Sequence, residues 1–319
     1  MTLTSTPVRA PNVDAELPAS IERCGTIAWE RIALLLMVVG PFAALALGTV
    51  LLVVAGRGPS LLDVSLGIAL YLVTGHGVTV GFHRYLTHGG FTCGRGMRLA
   101  LSIAGSMAIE GAVIGWVAAH RRHHQHADRE GDPHSPWRYG TSTWALARGL
   151  WWAQVGWLFS HDGTRREHYC PDLVADRDLV LVDRLFPLWA GLSLLAPAAV
   201  GALATGSWFG ALSGFLWAGL VRVGLLHHVT WSVNSICHAF GSRPFTTRDQ
   251  ARNVWPLAVL SMGESWHNWH HAEPRCARHG VEPGQLDSSA RLIAILERTR
   301  LVTAVRWPQR QRVEARRRG

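Results

Sequence analysis

His120-Arg-Arg-His-His-Gln-His126 is the stretch that decides how the rest of the chain is read. His120, His123 and His124 stand at i, i+3 and i+4, so on a helix all three imidazoles project from one face. The spacing recurs near the far end as His267, His270 and His271 in His-Asn-Trp-His-His. An earlier cluster, His83-Arg-Tyr-Leu-Thr-His88, brings the three boxes to eight histidines. Neutral imidazole is a good ligand for iron, copper, nickel or zinc, and eight of them point to more than one ion.

Composition puts these boxes in a membrane protein. The chain has 319 residues, of which 48% are hydrophobic and only 17% charged, with 15 Trp. That is too apolar and too rich in tryptophan for an ordinary soluble domain. The net charge of +9 is carried by arginines alone. They flank apolar segments and fill particular loops, which is the membrane pattern; no nucleic-acid partner is expected. Five cysteines (Cys24, Cys93, Cys170, Cys237, Cys276) form no CxxC pair and are odd in number, which predicts reduced thiols. The first 25 residues are polar and contain Pro, without the apolar core of a secretory signal.

The expected fold is all-α and integral to the membrane: four transmembrane helices with a cytoplasmic cap of helices enclosing the histidines. The spans are read at about 32–55, 61–82, 185–204 and 208–227. Residues 1–30 read as a flexible cytoplasmic segment, 31–305 as one membrane domain and 306–319 as a basic cytoplasmic tail. Arginine bias puts both termini and the boxes on the cytoplasmic side of the plasma membrane. Residues 97–119 are apolar enough for a fifth span. A crossing there would separate the boxes at 83–88 and 120–124 by about 30 Å, so an interfacial or protein-buried helix is expected, with Glu110 turned toward protein or water. Residues 144–159 and 253–263 are read as further interfacial helices.

A further element joins the set. In Asn234-Ser-Ile-Cys-His238 the amide and the imidazole are at i, i+4, and a helical continuation of the fourth span aligns His227, Trp231, Asn234 and His238. Nine histidines exceed what one four-coordinate zinc uses, whereas two metals with four or five nitrogens each use them all. Without thiolates or paired carboxylates, a dinuclear iron site suits oxygen chemistry, although the ligand types leave other metals open.

HRYLTH, HRRHH, NSICH and GESWHNWHH, in that order and between such spans, resemble the membrane fatty acyl-CoA desaturases of the stearoyl-CoA type. The likeness runs from about residue 60 to about 305; any single HxxHH is weak, and the combination is very specific. The resemblance implies that His83, His88, His120, His123, His124, His238, His267, His270 and His271 ligate two irons and that Asn234 holds a water beside one. It implies four spans under a cytoplasmic cap and a buried, kinked tunnel for the acyl chain. It also implies O2 as co-substrate and removal of two hydrogens from adjacent methylenes of a fatty acyl-CoA or other acyl thioester. The product is a cis double bond, at the delta-9 position in that family. No flavin, haem or nucleotide fingerprint is visible, so a ferredoxin or cytochrome with its NAD(P)H reductase is implied as electron donor. Arg121, Arg122 and Arg138 are candidates for the substrate headgroup, beside a reading as a solvated basic face near lipid.

The remaining residues have plainer readings. His76 is read as a packing or supporting residue, and His126, His134, His161, His168, His228 and His279 as surface or hydrogen-bonding residues. Arg222, inside the fourth span, is expected to snorkel or pair with a loop acid. Asp132-Pro-His-Ser reads as a turn, either tucked under the metals or simple. Glu273 and Ala119 depart from the family pattern, with an expected effect on cap packing and on a partner of the ligands. Two other functions use similar residues: a membrane hydroxylase of alkyl or lipid substrates, and a histidine-based metal-binding or transport protein.

Overall fold

The computed structural model describes residues 20–23 and 28–318. Among the described residues, four helices are long and apolar enough to cross a membrane: Glu30–Ala55, Leu61–Thr87, Phe186–Thr205 and Trp208–His238. Their outward faces carry exposed apolar side chains, among them Leu36, Val54, Leu61 and Leu203. Such surfaces suit hydrocarbon, where a helix satisfies its own backbone groups. The second span starts at a capping box, with Ser60 and Asp63 exchanging hydrogen bonds. Asp63 is buried and also accepts from Ser213 Oγ at 2.7 Å, so the one acid near this span is tied to the fourth.

Two spans run further than their apolar sequence predicts. The second continues past residue 82 as a π-helix over Gly77–Thr87, and the fourth continues past residue 227 through Ser235 into a 3-10 turn, Ile236–His238. The polar ends of these helices are held by cap contacts rather than by lipid, so hydropathy alone stops too early. Gly77 is needed in the π segment. A methyl there would run into the backbone of Ala104 and Gly105, where the helix Arg95–Ser106 crosses it.

The apolar stretch 97–119 is not one helix. It breaks into Arg95–Ser106 and Val113–His126, and neither is long enough to span. The break contains Ile109 and Gly111 at positive φ, 63° and 117°. Between the spans and the boxes lies a core of Phe82, Val113, Val117, Leu179 and Val182. Thr143–Gln154 is a helix followed by the short 3-10 turn Gly156–Phe159, with Trp144 and Trp151 exposed on it. Residues 253–263 form no helix beyond the 3-10 turn Trp255–Leu257. Asn253 at its start bridges to Ser242 and Trp266, and the rest of the segment follows as turns.

The ends differ from the expected tails. Ile21–Arg23 pairs antiparallel with Asp162–Thr164, so that part of 1–30 is a strand; most of the remainder, and Cys24, lie outside the described residues. Residues 306–319 are docked as far as they are described. Thr246 N donates to Arg316 O, and Glu273 pairs with Arg316 at 3.1 Å and Arg312 at 3.7 Å. Glu273 thus fastens the C-terminal helix Arg310–Arg316 to the end of the third box. Cys93, Cys170, Cys237 and Cys276 are free thiols. Arg222 does not snorkel, and among the described residues it meets no acid. It stays buried and donates to Ser193 O at 3.0 Å and Ser193 Oγ at 2.8 Å on the third span.

Candidate metal centre

The π winding of the second span explains the spacing of the first box. In an α-helix, residues i and i+5 lie about 140° apart around the axis. Closing i→i+5 bonds instead, as His88 N does on His83 O at 3.2 Å, turns both rings to one side. Their centroids are 4.9 Å apart.

The other boxes use ordinary helical spacing, but each divides. His83, His88, His120, His124 and His270 form one group, and His123, His238, His267 and His271 form the other. Each HxxHH box therefore gives its i and i+4 members to one group and its i+3 member to the other. The helices Val113–His126 and His267–Ala272 are thereby locked across both groups.

Within each group the Nε2 atoms face one another. His83–His270, His270–His124 and His124–His120 lie at 3.0, 2.9 and 3.1 Å. In the second group His238–His267 and His267–His271 are each at 3.0 Å. Two nitrogens each about 2.1 Å from one ion and at right angles are about 3.0 Å apart, so this spacing fits shared coordination. His88 Nε2 and His123 Nε2 are buried with no hydrogen-bond partner, as ligand atoms awaiting a metal would be.

The opposite ring nitrogens meet carboxylates. His83 Nδ1 lies 2.6 Å from Glu264, His123 Nδ1 3.0 Å from Asp132, His238 Nδ1 2.8 Å from Asp128 and His271 Nδ1 2.9 Å from Asp249. Such partners fix the tautomer, leaving Nε2 free to bind, and make the ring a stronger donor. Burial works to raise the Asp132 and Glu264 carboxyls. The imidazole of His123 in the first case, and Arg84 with His279 and His83 in the second, hold them well below the usual carboxylate range. Burial, aided by neighbouring imidazoles, pushes His88, His120, His124, His267, His270 and His271 well below the ordinary histidine value. Those six rings are biased toward the neutral form that offers a lone pair, whereas in His238 burial is outweighed by Asp128 and the shift is upward.

These carboxylates are the part the sequence reading missed. Asp128 and Asp132 follow the second box directly, and Glu264 precedes His267 by three residues, so acids flanking the boxes were the available signal. The Asp132-Pro-His-Ser turn is the one tucked under the histidines. His134 and His279, read as surface or hydrogen-bonding residues, are both buried: the His134 ring lies against His123 with centroids 4.5 Å apart, and His279 Nδ1 lies 3.3 Å from Glu264. His76 lies on Leu72 O and Ser288 Oγ, and His227 on Ala108 O. His161 and His168 are exposed.

A cavity of about 740 Å³ opens beside the groups, lined by His83, His120, His267 and the half-buried Asn234. Apolar walls come from Val78, Trp116, Leu226 and Val229, and Ala119 contributes to the lining. Arg122 and Arg138 also border it. Arg138 stacks on Trp152 at 4.4 Å, whereas Arg122 is buried and donates to Gly131 O at 2.8 Å. Arg121 braces the fold and is not among the residues that line the cavity. It grips both oxygens of Asp172, at 2.6 and 2.9 Å, and donates to Leu86 O and Tyr169 O.

Comparison with known proteins agrees with this arrangement. The family described as fatty acid desaturase matches residues 59–284. A hex-5-enoyl-[acyl-carrier protein] acetylenase of Moorena producens is 39% identical over 259 residues, 80% of each chain. The delta-9 acyl-lipid desaturase 1 of Arabidopsis thaliana is 37% identical over 77% of each chain. An acyl-CoA C20 delta5-desaturase of Anemone leveillei is 35% identical over 75% of this chain and 72% of its own. The family match covers all four histidine motifs, and the chain belongs to the fatty acid desaturases, membrane oxidoreductases acting on fatty acids.

Proposed function

We propose that this chain is an O2-dependent desaturase that introduces a cis double bond into a saturated long-chain acyl group, with two irons as its cofactor. The observation that carries the reading is the division of nine histidines into groups of five and four beside an apolar cavity. One iron is assigned to His83, His88, His120, His124 and His270. The other is assigned to His123, His238, His267 and His271, with a water held by Asn234. Bound there, the two irons supply O2 activation for attack on unactivated C–H bonds.

The protein residues do the remaining work. A methylene offers no handle for acid–base chemistry, so selectivity comes from where the cavity walls hold the chain. Val78, Trp116, Leu226 and Val229 supply apolar contact, and the same walls keep bulk water from the reacting carbons. The substrate is assigned as an acyl thioester, acyl-CoA first, with Arg122 and Arg138 nearest its headgroup and delta-9 as the position. Relatives described as acting on acyl-carrier-protein, acyl-lipid and acyl-CoA substrates make the headgroup the least constrained part. Electrons come from a ferredoxin or cytochrome with its NAD(P)H reductase, docking on the arginine-rich face. That face, the active site and both termini are placed on the cytoplasmic side of the plasma membrane.

Gas chromatography–mass spectrometry of fatty acids from cells expressing wild type and His124→Ala tests this. New monounsaturated acid in wild type alone supports desaturation, and derivatised fragments give its position. Hydroxylated acid contradicts it. The acetylenase relative supports a second reading, in which an alkene is dehydrogenated to an alkyne; feeding a monounsaturated acid separates the two.

A further inference from the structure

We propose that Glu110 is a specificity-determining residue of the acyl cavity: its carboxyl must carry a proton for an alkyl chain to lie beside it. The inference rests on the acyl-cavity reading above. Glu110 sits in the break between the helices Arg95–Ser106 and Val113–His126. Its chain neighbours Ile109 and Gly111 both have positive φ, and for a β-branched residue such as Ile109 that is a strained conformation. The turn delivers an acid into the cavity wall, whose lining includes the apolar Val78, Leu226 and Val229 as well as the charged Arg122, Arg138, Asp162 and Arg166.

Its hydrogen bonding is incomplete. Oε2 accepts from Trp116 Nε1 at 3.2 Å, while Oε1 is buried without a partner. Trp116 stacks on His120, with centroids 5.1 Å apart and planes at 23°, so one indole separates the acid from the metal-binding group. Titratable groups on the neighbouring elements have partners of their own, and His83, His120, His267, Glu264, Asp162 and Arg166 line the same cavity. Tyr71 of the second span donates to Leu260 O, His227 of the fourth lies on Ala108 O, and Arg222 is held by Ser193. Glu30, at the start of the first span, lines the same cavity. Among the described residues no cation forms an ion pair with Glu110. Burial pushes its carboxyl up to about 7, against the opposing influence of Thr230 and Trp116.

The consequence is a proton linked to substrate. An ionised carboxylate at this wall holds water that an alkyl chain must displace, and a buried unpaired charge is costly. The neutral acid lacks that penalty. Chain binding therefore favours the protonated form: affinity is full below the titration and falls as pH rises through it. Above the midpoint, each chain bound takes up one proton.

Methyl stearate, which has no titrating group, is the probe. Its equilibrium binding to the full chain in detergent is measured from pH 6 to pH 8. A site titrating near 7 weakens binding about tenfold over that range. Glu110→Gln keeps the shape and binds equally at both ends. In parallel, an infrared carboxylic-acid band bleaches over the same range in wild type, which tests the proposal even if the variant misfolds. Binding to wild type without a pH slope overturns the Glu110 proposal alone, as does an equal slope in Glu110→Gln. An infrared band that does not bleach with the binding curve also overturns it. Failure of methyl stearate to bind wild type at any pH overturns the acyl-cavity reading itself.

Discussion

His83 Nδ1 lies 2.6 Å from Glu264 Oε2, and the same carboxylate accepts from Arg84 Nε at 3.0 Å. Arg84 reaches on to Asp287 at 3.0 Å and Ala277 O at 2.8 Å. One acid therefore orients a ring of the first group and neutralises a buried guanidinium. Glu264→Gln removes the charge that both rely on, leaving Arg84 with Asp287 alone. Removing one member of a buried pair costs up to about 3–5 kcal/mol where the other charge is left alone. Here Asp287 keeps part of the compensation, so thermal unfolding in detergent shows a smaller but clear loss of stability and the iron content falls. Unchanged stability would contradict the role given to this acid.

The second group has its own support. Asp128 accepts from His238 Nδ1 at 2.8 Å and from Gln250 N at 2.7 Å. Asp128→Asn is expected to lower metal affinity about 10–100-fold, the usual effect of losing such a partner. Competition with a chelator measures it. The loss should appear at one iron before the other, because His238 belongs to only one group.

Metal retention should not follow ordinary histidine titration. Imidazoles pushed down by burial and by one another stay neutral as pH falls past about 6.5, where free histidine charges. Their contribution to binding is lost only as pH falls through the lowered value. Iron held after dialysis by the first group, where His88, His120, His124 and His270 are all pushed down, should thus be flat from pH 8 to pH 6. The second group differs, because it contains His238, in which burial is outweighed by Asp128 and the shift is upward. Half-loss from the first group near pH 6.5 would mean that its rings are solvated.

Gly77 and Glu273 test the frame at opposite extremes. Gly77→Ala drives a methyl into the backbone of Gly105, and overpacking of this kind costs about 1–3 kcal/mol or more. Expression and thermal stability should drop, and activity with them. Glu273→Ala removes partly exposed pairs with Arg312 and Arg316, worth about 0–1 kcal/mol. Product yield should stay near wild type, with loosening confined to proteolysis at the C terminus.

Much of the site is legible because helical spacing is local. The i, i+3, i+4 pattern gives each HxxHH box its face, and apolar runs give the four spans. What escaped is non-local or off the α period. The five-residue interval from His83 to His88 makes sense only on a π-helix, which no hydropathy pattern announces. The division of each box between two groups depends on how two helices far apart in sequence approach one another. Asp249 meets His271 through tertiary packing, and His279 meets Glu264 likewise. Arg222 misled because an intramembrane cation suggests an acid, whereas a serine hydroxyl and carbonyl on the next span serve it.

Iron counted per chain is the most direct test of the two-group centre. Elemental analysis with Mössbauer spectroscopy of protein loaded anaerobically with iron reads stoichiometry and ligand field together. Two irons per chain in nitrogen-rich environments, reduced in both His124→Ala and His271→Ala but not in His76→Ala, is the predicted result. A single iron, or equal loss in His76→Ala, would contradict it.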